Sequence, residues 1–410
     1  MSRASLDRLP VPDDFAPPPT AIQLAHWIEA DRAARPSRLG RLRARLAAAG
    51  LDAYCGVRPE HSRYLTGLLL ADGEEKVAGV SGWFLIGSDE VILLADSRYA
   101  LQAHREAPDS RVEPVYGDLE ARWPELLRSL GARRVAVEAG FLSHAAWTRL
   151  AAAAPDVELV AVEGWLESDR ATKEPAELER VAAACAVADR ALAALLPEIR
   201  RDVTEAALAW RLEILIRTSG AEALAFDVAC LAGPEAALPH GSPGDRPVLD
   251  GQVLLFDFGA QVAGYRSDMT RTLFVGEPSA RSLAIYELVA AAQAAALACV
   301  RTAVQAGGPL PGGRTIDARA RDVIVAAGHG DHFGHGTGHG IGLATHELPS
   351  LGRLAVDDPL PSPTVFSVEP GVYLEGELGV RIEDLLAVDV AHGRAELLTR
   401  FPRDVLVVGV

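Results

Sequence analysis

Short apolar runs alternate with segments of helical periodicity through the first 165 residues. Apolar runs lie at 82–87, 91–95 and 135–137, and helical patterns lie at 38–49, 100–106 and 123–130. Strands that alternate with helices are typical of α/β domains. The pattern therefore predicts an α/β N-terminal domain.

The second half of the chain has a different pattern, in which long helices separate groups of strands. Pro175 stands where a helix begins, and Leu178, Val181 and Cys185 follow at helical spacing. Thr204 is a candidate N-cap for the next helix. Two further helices are predicted at 280–300 and 315–327, and strands at 253–258, 270–275, 364–368, 385–388 and 405–408. This half is predicted to be an α+β domain with helices on a mainly antiparallel sheet.

The polar stretch 164–175, GWLESDRATKEP, is interpreted as the connection between the two domains. Residues 1–20 are rich in Pro and Asp and are interpreted as a loosely ordered tail. The predicted organisation is an N-terminal extension over 1–30, an α/β domain over 31–167 and an α+β domain over 168–410.

Composition and charge exclude several classes of protein. The 410 residues are 49% hydrophobic and 23% charged, which excludes a disordered chain, a coiled coil and a collagen-like fibre. The net charge of −16 argues against a nucleic-acid or membrane partner. We expect no signal peptide and no membrane span. The four cysteines show no C-x-x-C spacing, and a cytoplasmic location is predicted.

The histidines are concentrated in one glycine-rich segment. Five of the 11 histidines lie between His329 and His346, in HGDHFGHGTGHGIGLATH. Alternate glycines disfavour a helix and let an extended backbone approach other groups closely. His335 and His339 are predicted on the same face of a strand, and His346 reaches the same region through a bend.

Four acidic residues stand at the ends of apolar strand runs. Asp257 ends the run 253–258, and a hairpin that turns at 264–265 would return Asp268 beside it. Glu369 ends a second run before a Pro–Gly turn, and Glu383 follows on the returning strand. Taken singly, each of these acids is more often a turn cap or a salt-bridge partner.

Four converging carboxylates repel one another unless cations are bound between them. A site rich in oxygen with one imidazole suits two divalent ions such as Mn²⁺, Co²⁺ or Zn²⁺. Paired metals generate hydroxide at neutral pH and hold a tetrahedral intermediate, so the residues predict a dimetal hydrolase. The chain contains no P-loop, dinucleotide-binding, H-E-x-x-H or G-x-S-x-G motif.

The same segments resemble the creatinase/aminopeptidase ("pita-bread") superfamily, metallopeptidase family M24, and within it the Xaa-Pro peptidases of the prolidase and aminopeptidase P type. The resemblance rests on DFGAQVAGYRSDMTRT, HGTGHGIGLATHELP, SVEPGVY and GVRIED, with LPH at 238–240. It covers about 170–410 in order and spacing, and extends more weakly to the first half through ADSRYALQA at 95–103. It implies a creatinase-like N-terminal domain and a catalytic domain with helices on a curved, mainly antiparallel sheet.

The resemblance also implies a metal ligand set of five residues. Asp257 would hold one metal, and Asp268 and Glu383 would bridge both. His339 and Glu369 would hold the second metal, and Glu369 would also act as general base.

Four further residues match positions that handle the substrate in the family. His346 would bind the substrate carbonyl and its developing oxyanion, while His240 and His335 would orient substrate and pass a proton to the leaving proline nitrogen. Arg381 would pair with a carboxylate of the ligand shell or, alternatively, with the C-terminal carboxylate of the substrate.

The function implied is hydrolysis of the Xaa-Pro bond of dipeptides or short peptides by two divalent ions per subunit, with manganese preferred over cobalt or zinc. The segment HGTGHGIG favours a dipeptidase, because the long aminopeptidase P form tends to carry Ser at the position of Gly338. Aminopeptidase P activity and a non-peptidase hydrolase or lyase of the same fold stay open as alternatives. Family members are commonly homodimers, and a homodimer is expected here. A histone-chaperone-like binding protein is disfavoured, since such members have lost ligand residues.

Overall fold

The structure, a computed structural model, describes residues 9–71 and 77–409. The chain divides into two compact units. One unit spans Ala25–Asp169, and the other contains Arg170–Val410 together with the residues that precede Ala25.

The first unit is built on a mixed six-stranded sheet in the order β4-β3-β2-β1-β5-β6. Its strands are β1 (Ala53–Gly56), β2 (Phe84–Ile86), β3 (Val91–Ala95), β4 (Arg111–Pro114), β5 (Arg134–Glu138) and β6 (Glu158–Val162). Strand β1 pairs in parallel with β5, and β5 with β6, whereas β2 runs antiparallel to both of its neighbours. The predicted α/β character is confirmed.

Six helices accompany this sheet, namely α1 (Ala21–Ala49), α2 (Pro59–Leu65), α3 (Ala100–Glu106), α4 (Leu119–Ser129), α5 (His144–Ala153) and α6 (Trp165–Ala171). Helix α4 turns Trp123, Leu126 and Leu127 into the core beneath the sheet. Helix α1 begins 17 residues before the predicted segment 38–49, because its first part has no clear apolar stripe and contains Pro36.

The second unit contains four long helices: α7 (Pro175–Leu195), α8 (Glu205–Thr218), α9 (Ala280–Gln305) and α10 (Gly313–Ala326). Pro175 occupies the first turn of α7, as predicted. The hydroxyl of Thr204 accepts a hydrogen bond from the backbone N–H of Ala207, so the predicted N-cap of α8 is confirmed.

Two main sheets form the frame of this unit. The first has the order β20-β12-β9-β8 and the second, which is antiparallel throughout, β14-β13-β15-β18-β19. A hairpin pairs β16 with β17, and β10 pairs with both β7 and β11. The strands are β7 (Ala223–Leu224), β8 (Ala229–Ala232), β9 (Val253–Phe258), β10 (Ala260–Val262), β11 (Tyr265–Arg266), β12 (Met269–Val275), β13 (Gly338–Gly340), β14 (Glu347–Leu351), β15 (Thr364–Val368), β16 (Gly371–Leu374), β17 (Leu378–Arg381), β18 (Asp384–Asp389), β19 (Arg394–Leu397) and β20 (Val407–Val408).

Helix α9 is long and apolar enough to cross a membrane by length and composition, with a mean hydropathy of 1.8 over 18 residues. In the structure, Ile285, Val289 and Val300 of α9 belong to the core cluster that also contains Phe366 of β15. Packing against the sheet accounts for the apolar composition of this helix.

The boundary between the two units, after Asp169, lies within the stretch 164–175 that was interpreted as the connection. This stretch contains helix α6, in which Leu166 is fully buried, and the side chains of Arg170 and Lys173 are also buried. Charged side chains that are paired inside the protein give the same polar sequence pattern as a solvated loop.

Candidate metal centre and active site

Asp257 and Asp268 are placed by two paired strands. Strands β9 and β12 are antiparallel, with Thr270 opposite Asp257, and Asp268 immediately precedes β12. The predicted return of Asp268 beside Asp257 is confirmed, although β10 and β11 form an additional hairpin between them. Gly259 allows the close approach, since a Cβ atom there would lie 2.0 Å from the carbonyl oxygen of Ser267.

His339 lies in the short strand β13, between two glycines that the packing requires. A Cβ atom on Gly338 would lie 1.9 Å from the carbonyl oxygen of Ser367, and one on Gly340 would lie 2.1 Å from that of Leu348. Alternate glycines therefore serve close backbone approach, as predicted. The Nδ1 atom of His339 donates to the carbonyl oxygen of Gly340 at 3.0 Å, which turns Nε2 towards the acidic residues.

Glu369 follows β15 and is fixed by hydrogen bonds of its backbone and side chain. Its N–H donates to the carbonyl oxygen of Thr337 at 2.8 Å, and the hydroxyl of Ser367 donates to its Oε1 at 3.0 Å. Oε1 lies 3.3 Å from Nε2 of His339. The same nitrogen lies 3.7 Å from Oδ2 of Asp268.

Glu383 joins the cluster from the end of the β16–β17 hairpin. Its N–H donates to the carbonyl oxygen of Thr270 at 3.1 Å, and the Thr270 hydroxyl donates to its Oε2 at 2.8 Å. Its residue surface is only 2% exposed. The structure thus brings all four carboxylates and the imidazole named by the sequence into one region of the second unit.

The donor set fits a divalent metal ion. Asp268, His339 and Glu383 each offer one ligand atom, and these three atoms lie within 4.8 Å of one another. Among the described residues, Oδ1 of Asp257 and Oε1 of Glu383 are buried oxygens with no hydrogen-bond partner. Buried carboxylate oxygens of this kind require a cation or a proton.

The pKa values of the cluster reflect burial and mutual repulsion. Burial raises the pKa of Asp268 well above its usual value, and the carboxylates of Glu383 and Asp257 raise it further. Burial also raises the pKa of Glu383, as does the neighbouring charge of Glu369. Burial alone would raise the pKa of Glu369, but the hydrogen bond to His339 and the charges of His339, His335 and Arg381 together lower this pKa to about 2.

Arg381 is surrounded by groups of the chain itself. Its Nη2 donates to Oδ2 of Asp257 at 2.6 Å, its Nε donates to the Thr270 hydroxyl at 2.9 Å, and its Nη1 donates to the Tyr373 hydroxyl at 2.8 Å. Sequence reasoning assigned nothing to Thr270 or Tyr373. Both stand inside the motifs SDMTRT and SVEPGVY, and their hydroxyl groups were the signal that could have found them.

His335 lies outside β13, so the prediction of one strand face shared with His339 was wrong. The strand is limited to three residues and its register with β14 shifts after His339. Both nitrogens of His335 are engaged: Nδ1 donates to the carbonyl oxygen of Gly336 at 2.7 Å, and Nε2 lies 2.8 Å from the Tyr373 hydroxyl. Burial lowers the pKa of His335.

His346 and His240 line the exposed side of the cluster. The bend 342–346 brings the ring of His346 over that of His339, with ring centroids 4.1 Å apart. Partial burial lowers the pKa of His346, and the charge of His339 lowers it further. His240 is exposed and lies close enough to His335 and His346 to influence both electrostatically.

Comparison with known proteins gives the same family for both halves of the chain. The model of metallopeptidase family M24 matches residues 179–389, and that of the creatinase/prolidase N-terminal domain matches residues 38–172. A relative from Bacillus subtilis (strain 168), described as uncharacterized peptidase YqhT, is 31% identical over 373 residues, which cover 90% of this chain and 100% of that protein.

Two solved structures are similar along almost the whole chain. An Xaa-Pro dipeptidase from Bacillus anthracis has 32% identity and a TM-score of 0.81, covering 91% of this chain and 100% of that one. An X-Pro aminopeptidase from Thermotoga maritima MSB8 has 33% identity and a TM-score of 0.79, covering 90% and 99%. The chain therefore belongs to metallopeptidase family M24, and is a metallopeptidase of the pita-bread fold with a creatinase/prolidase N-terminal domain.

Proposed function

We propose that the protein is an Xaa-Pro dipeptidase that uses two divalent metal ions, manganese in preference to cobalt or zinc. The observation that carries the proposal is the convergence of Asp257, Asp268, His339, Glu369 and Glu383 in one buried cluster. Two ions bound there supply a nucleophilic hydroxide at neutral pH and polarise the scissile carbonyl group. The homodimer, the cytoplasmic location and the domain limits 1–30, 31–167 and 168–410 stay predictions.

The side chains around the cluster have separate tasks in this proposal. Glu369, whose carboxylate lies beside His339 in the cluster, would accept the proton of the attacking water. His346 donates a hydrogen bond to the carbonyl oxygen as negative charge develops on it. His240 is exposed and lies near His346. It passes a proton to the proline nitrogen, which is a tertiary amide nitrogen and has no N–H of its own.

Arg381 and His335 are both held by hydrogen bonds to neighbouring protein groups. The guanidinium of Arg381 donates to Asp257, which favours pairing within the ligand shell over binding of the substrate carboxylate. His335 is held by Gly336 and Tyr373, so we assign it to orienting substrate through its ring edge, and we assign the proton transfer to His240.

Preference for dipeptides is supported by the glycine before His339. The aminopeptidase P form tends to carry Ser there, and this chain has no room for it, since a Cβ on Gly338 would lie 1.9 Å from the Ser367 carbonyl oxygen. The solved relatives include one described as a dipeptidase and one as an aminopeptidase, so aminopeptidase activity is the second candidate.

Hydrolysis of three peptides tests the proposal. Metal-stripped protein and protein reloaded with Mn²⁺, Co²⁺ or Zn²⁺ are assayed on Ala-Pro, Ala-Pro-Ala and Ala-Ala. We expect metal-dependent cleavage of Ala-Pro and little cleavage of the other two. Efficient cleavage of the tripeptide would instead establish the aminopeptidase, and failure on both proline peptides would favour a non-peptidase of the same fold.

A further inference from the structure

Glu347, the residue after His346, has its carboxylate enclosed by two cations. Nζ of Lys173 donates to Oε1 at 2.7 Å, and the guanidinium of Arg170 pairs with Oε2. The exposed fractions of these side chains are 1% for Lys173, 2% for Arg170 and 3% for Glu347. Charges buried to this extent are retained when each one is paired, so the three side chains form a single unit.

The turn that carries His346 is folded around this carboxylate. The N–H of Ala344 donates to Oε2 of Glu347 at 3.3 Å, and the N–H of Gly342 donates to the carbonyl oxygen of Ala344 at 3.1 Å. A Cβ atom on Gly342 would lie 2.6 Å from Oε1 of Glu347. The carboxylate of Glu347 therefore lies on the inner side of the turn 341–346 and holds its backbone in place.

The two cations are themselves anchored to the strand that leads to Glu369. The N–H of Lys173 donates to the carbonyl oxygen of Pro363 at 2.8 Å, and the Thr364 hydroxyl donates to the carbonyl oxygen of Ala171 at 2.9 Å. Nζ of Lys173 also donates to the carbonyl oxygen of Arg170 at 2.6 Å. These hydrogen bonds fix the two cations, and through them Glu347, relative to β15. Glu369 follows directly after this strand.

The residue type at position 173 is unusual for this chain. Only two of its 40 basic residues are lysines, so arginine fills nearly every other cationic position. The compact ammonium of Lys173 donates to a carboxylate and to a carbonyl oxygen, whereas a guanidinium is a larger planar fork. We therefore expect an arginine at position 173 to keep the charge but to change the geometry of these two hydrogen bonds.

We propose that Arg170 and Lys173 are positioning residues, which fix His346 over His339 by holding Glu347. This inference rests on the proposed role of His346 at the developing oxyanion. A displaced His346 loses an interaction that is strongest in the transition state, so kcat falls while KM changes little.

A double-mutant cycle tests the inference. We compare kcat and KM on Ala-Pro for the wild type, Lys173→Met, His346→Ala and the double variant, all metal-loaded. Lys173→Met is expected to lower kcat by about 10- to 100-fold with KM within about twofold, and Lys173→Arg to lower it less. In the His346→Ala background, Lys173→Met should cause no further decrease in kcat. An equal fractional loss in both backgrounds would show a merely structural role and overturn the inference.

Control variants keep the result interpretable. Arg211→Met removes a surface ion pair with Glu198 in the same unit and should leave kcat unchanged. If Lys173→Met does not fold, Glu347→Gln and Lys173→Arg enter the same cycle.

A crystal structure of the Lys173 variant gives a measurement that needs no activity. Displacement of the His346 ring from its 4.1 Å contact with His339 supports the inference, and an unmoved ring contradicts it. A wild type that cleaves no Xaa-Pro peptide would overturn the proposed function, while the ring position still decides the role of Lys173.

Discussion

At the scale of single residues, hydrogen-bond directions determine how the proposed metal ligands are held. The Thr270 hydroxyl accepts a hydrogen bond from Nε of Arg381 and donates one to Oε2 of Glu383. Arg381 also donates to Asp257, so one guanidinium orients two carboxylates, one directly and one through a hydroxyl. Such outer partners keep ligand oxygens aimed at the metal.

Replacing Thr270 tests this outer hydrogen bond. Thr270→Val keeps the shape of the side chain but removes the donor to Glu383, and we expect metal affinity to fall by about 10- to 100-fold. Thr270→Ser keeps the hydroxyl and should bind metal nearly as the wild type does. Competition with a chelator measures both affinities, and equal weakening in the two variants would contradict a role for the hydroxyl.

Removing a ligand should have a larger effect than removing its outer partner. In Glu383→Ala or Asp268→Ala we expect metal stoichiometry to fall below two per chain and kcat to fall by more than about 100-fold. Metal analysis of the purified variants measures the first quantity, and hydrolysis of Ala-Pro measures the second. Full activity in either variant would refute the ligand assignment.

At the scale of elements, the glycines of β13 fix how closely two strands approach. A methyl group on Gly338 would meet the Ser367 carbonyl oxygen, whereas one on Gly334 would have nothing within 4 Å. We therefore expect Gly338→Ala to destabilise the protein by about 1–3 kcal/mol or more. Gly334→Ala is the matched control and should leave the urea midpoint almost unchanged. Equal stability of the two variants would show that β13 and β15 can move apart to accept a methyl group at position 338.

Helix α7 holds the segment before β20 through one buried acid. Oδ1 and Oδ2 of Asp189 accept hydrogen bonds from the N–H groups of Phe401 and Arg400 at 3.0 and 2.8 Å. Burial raises the pKa of Asp189 to about 7. The carboxyl group of Asp189 therefore binds its proton more tightly in the folded state than in the unfolded state.

The sign of the pH effect follows from the raised pKa. The stabilisation that Asp189 contributes is complete below its unfolded pKa, near 3.8, and is lost as the pH rises towards about 7. Asp189→Asn removes this titration. We expect the free energy of unfolding of the wild type, measured relative to the variant, to decrease between about pH 4 and pH 7. Parallel pH profiles from urea titrations of the two proteins would contradict the raised pKa.

The sequence predicted an element correctly where its pattern depends on neighbouring residues alone. The strands 253–258 and 364–368 and the start of α7 at Pro175 agree with the structure, since apolar runs and caps are local signals. The start of α1 was predicted wrongly, because the first part of this helix has no clear apolar stripe. The burial of Arg170 and Lys173 in the connection 164–175 was not predicted, because their ion pairs join them to the distant Glu347. The family resemblance named all five proposed ligands, whereas Thr270, Tyr373 and Glu347 were missed because each contacts side chains from other parts of the chain.

At the scale of the whole molecule, the proposed metal centre is assembled from parts of the chain that are far apart in sequence. Arg381 and Asp257 are separated by 124 positions, and Glu383 and Thr270 by 113. A preformed site of this kind does not exist in the unfolded chain, so binding of metal stabilises the folded state.

Removal of metal should therefore lower thermal stability as well as activity. We expect treatment with a chelator to lower Tm, and Mn²⁺ at about 100 times its Kd to restore about 2.7 kcal/mol per site. In Glu383→Ala the same addition should change Tm much less. Calorimetry with and without metal measures both, and a Tm of the wild type that is independent of metal would contradict the linkage.

The pairing of β20 with β12 has a consequence for the newly made protein. Val407 and Val408 lie beside Phe274 and Val275 on the strand that follows Asp268, and Arg271 of the same strand donates to the carbonyl oxygen of Phe401. Strand β20 is synthesised after all five proposed ligand residues, and it completes the sheet that positions Asp257 and Asp268. We therefore expect the sheet that holds these two carboxylates to be completed only after β20 has left the ribosome.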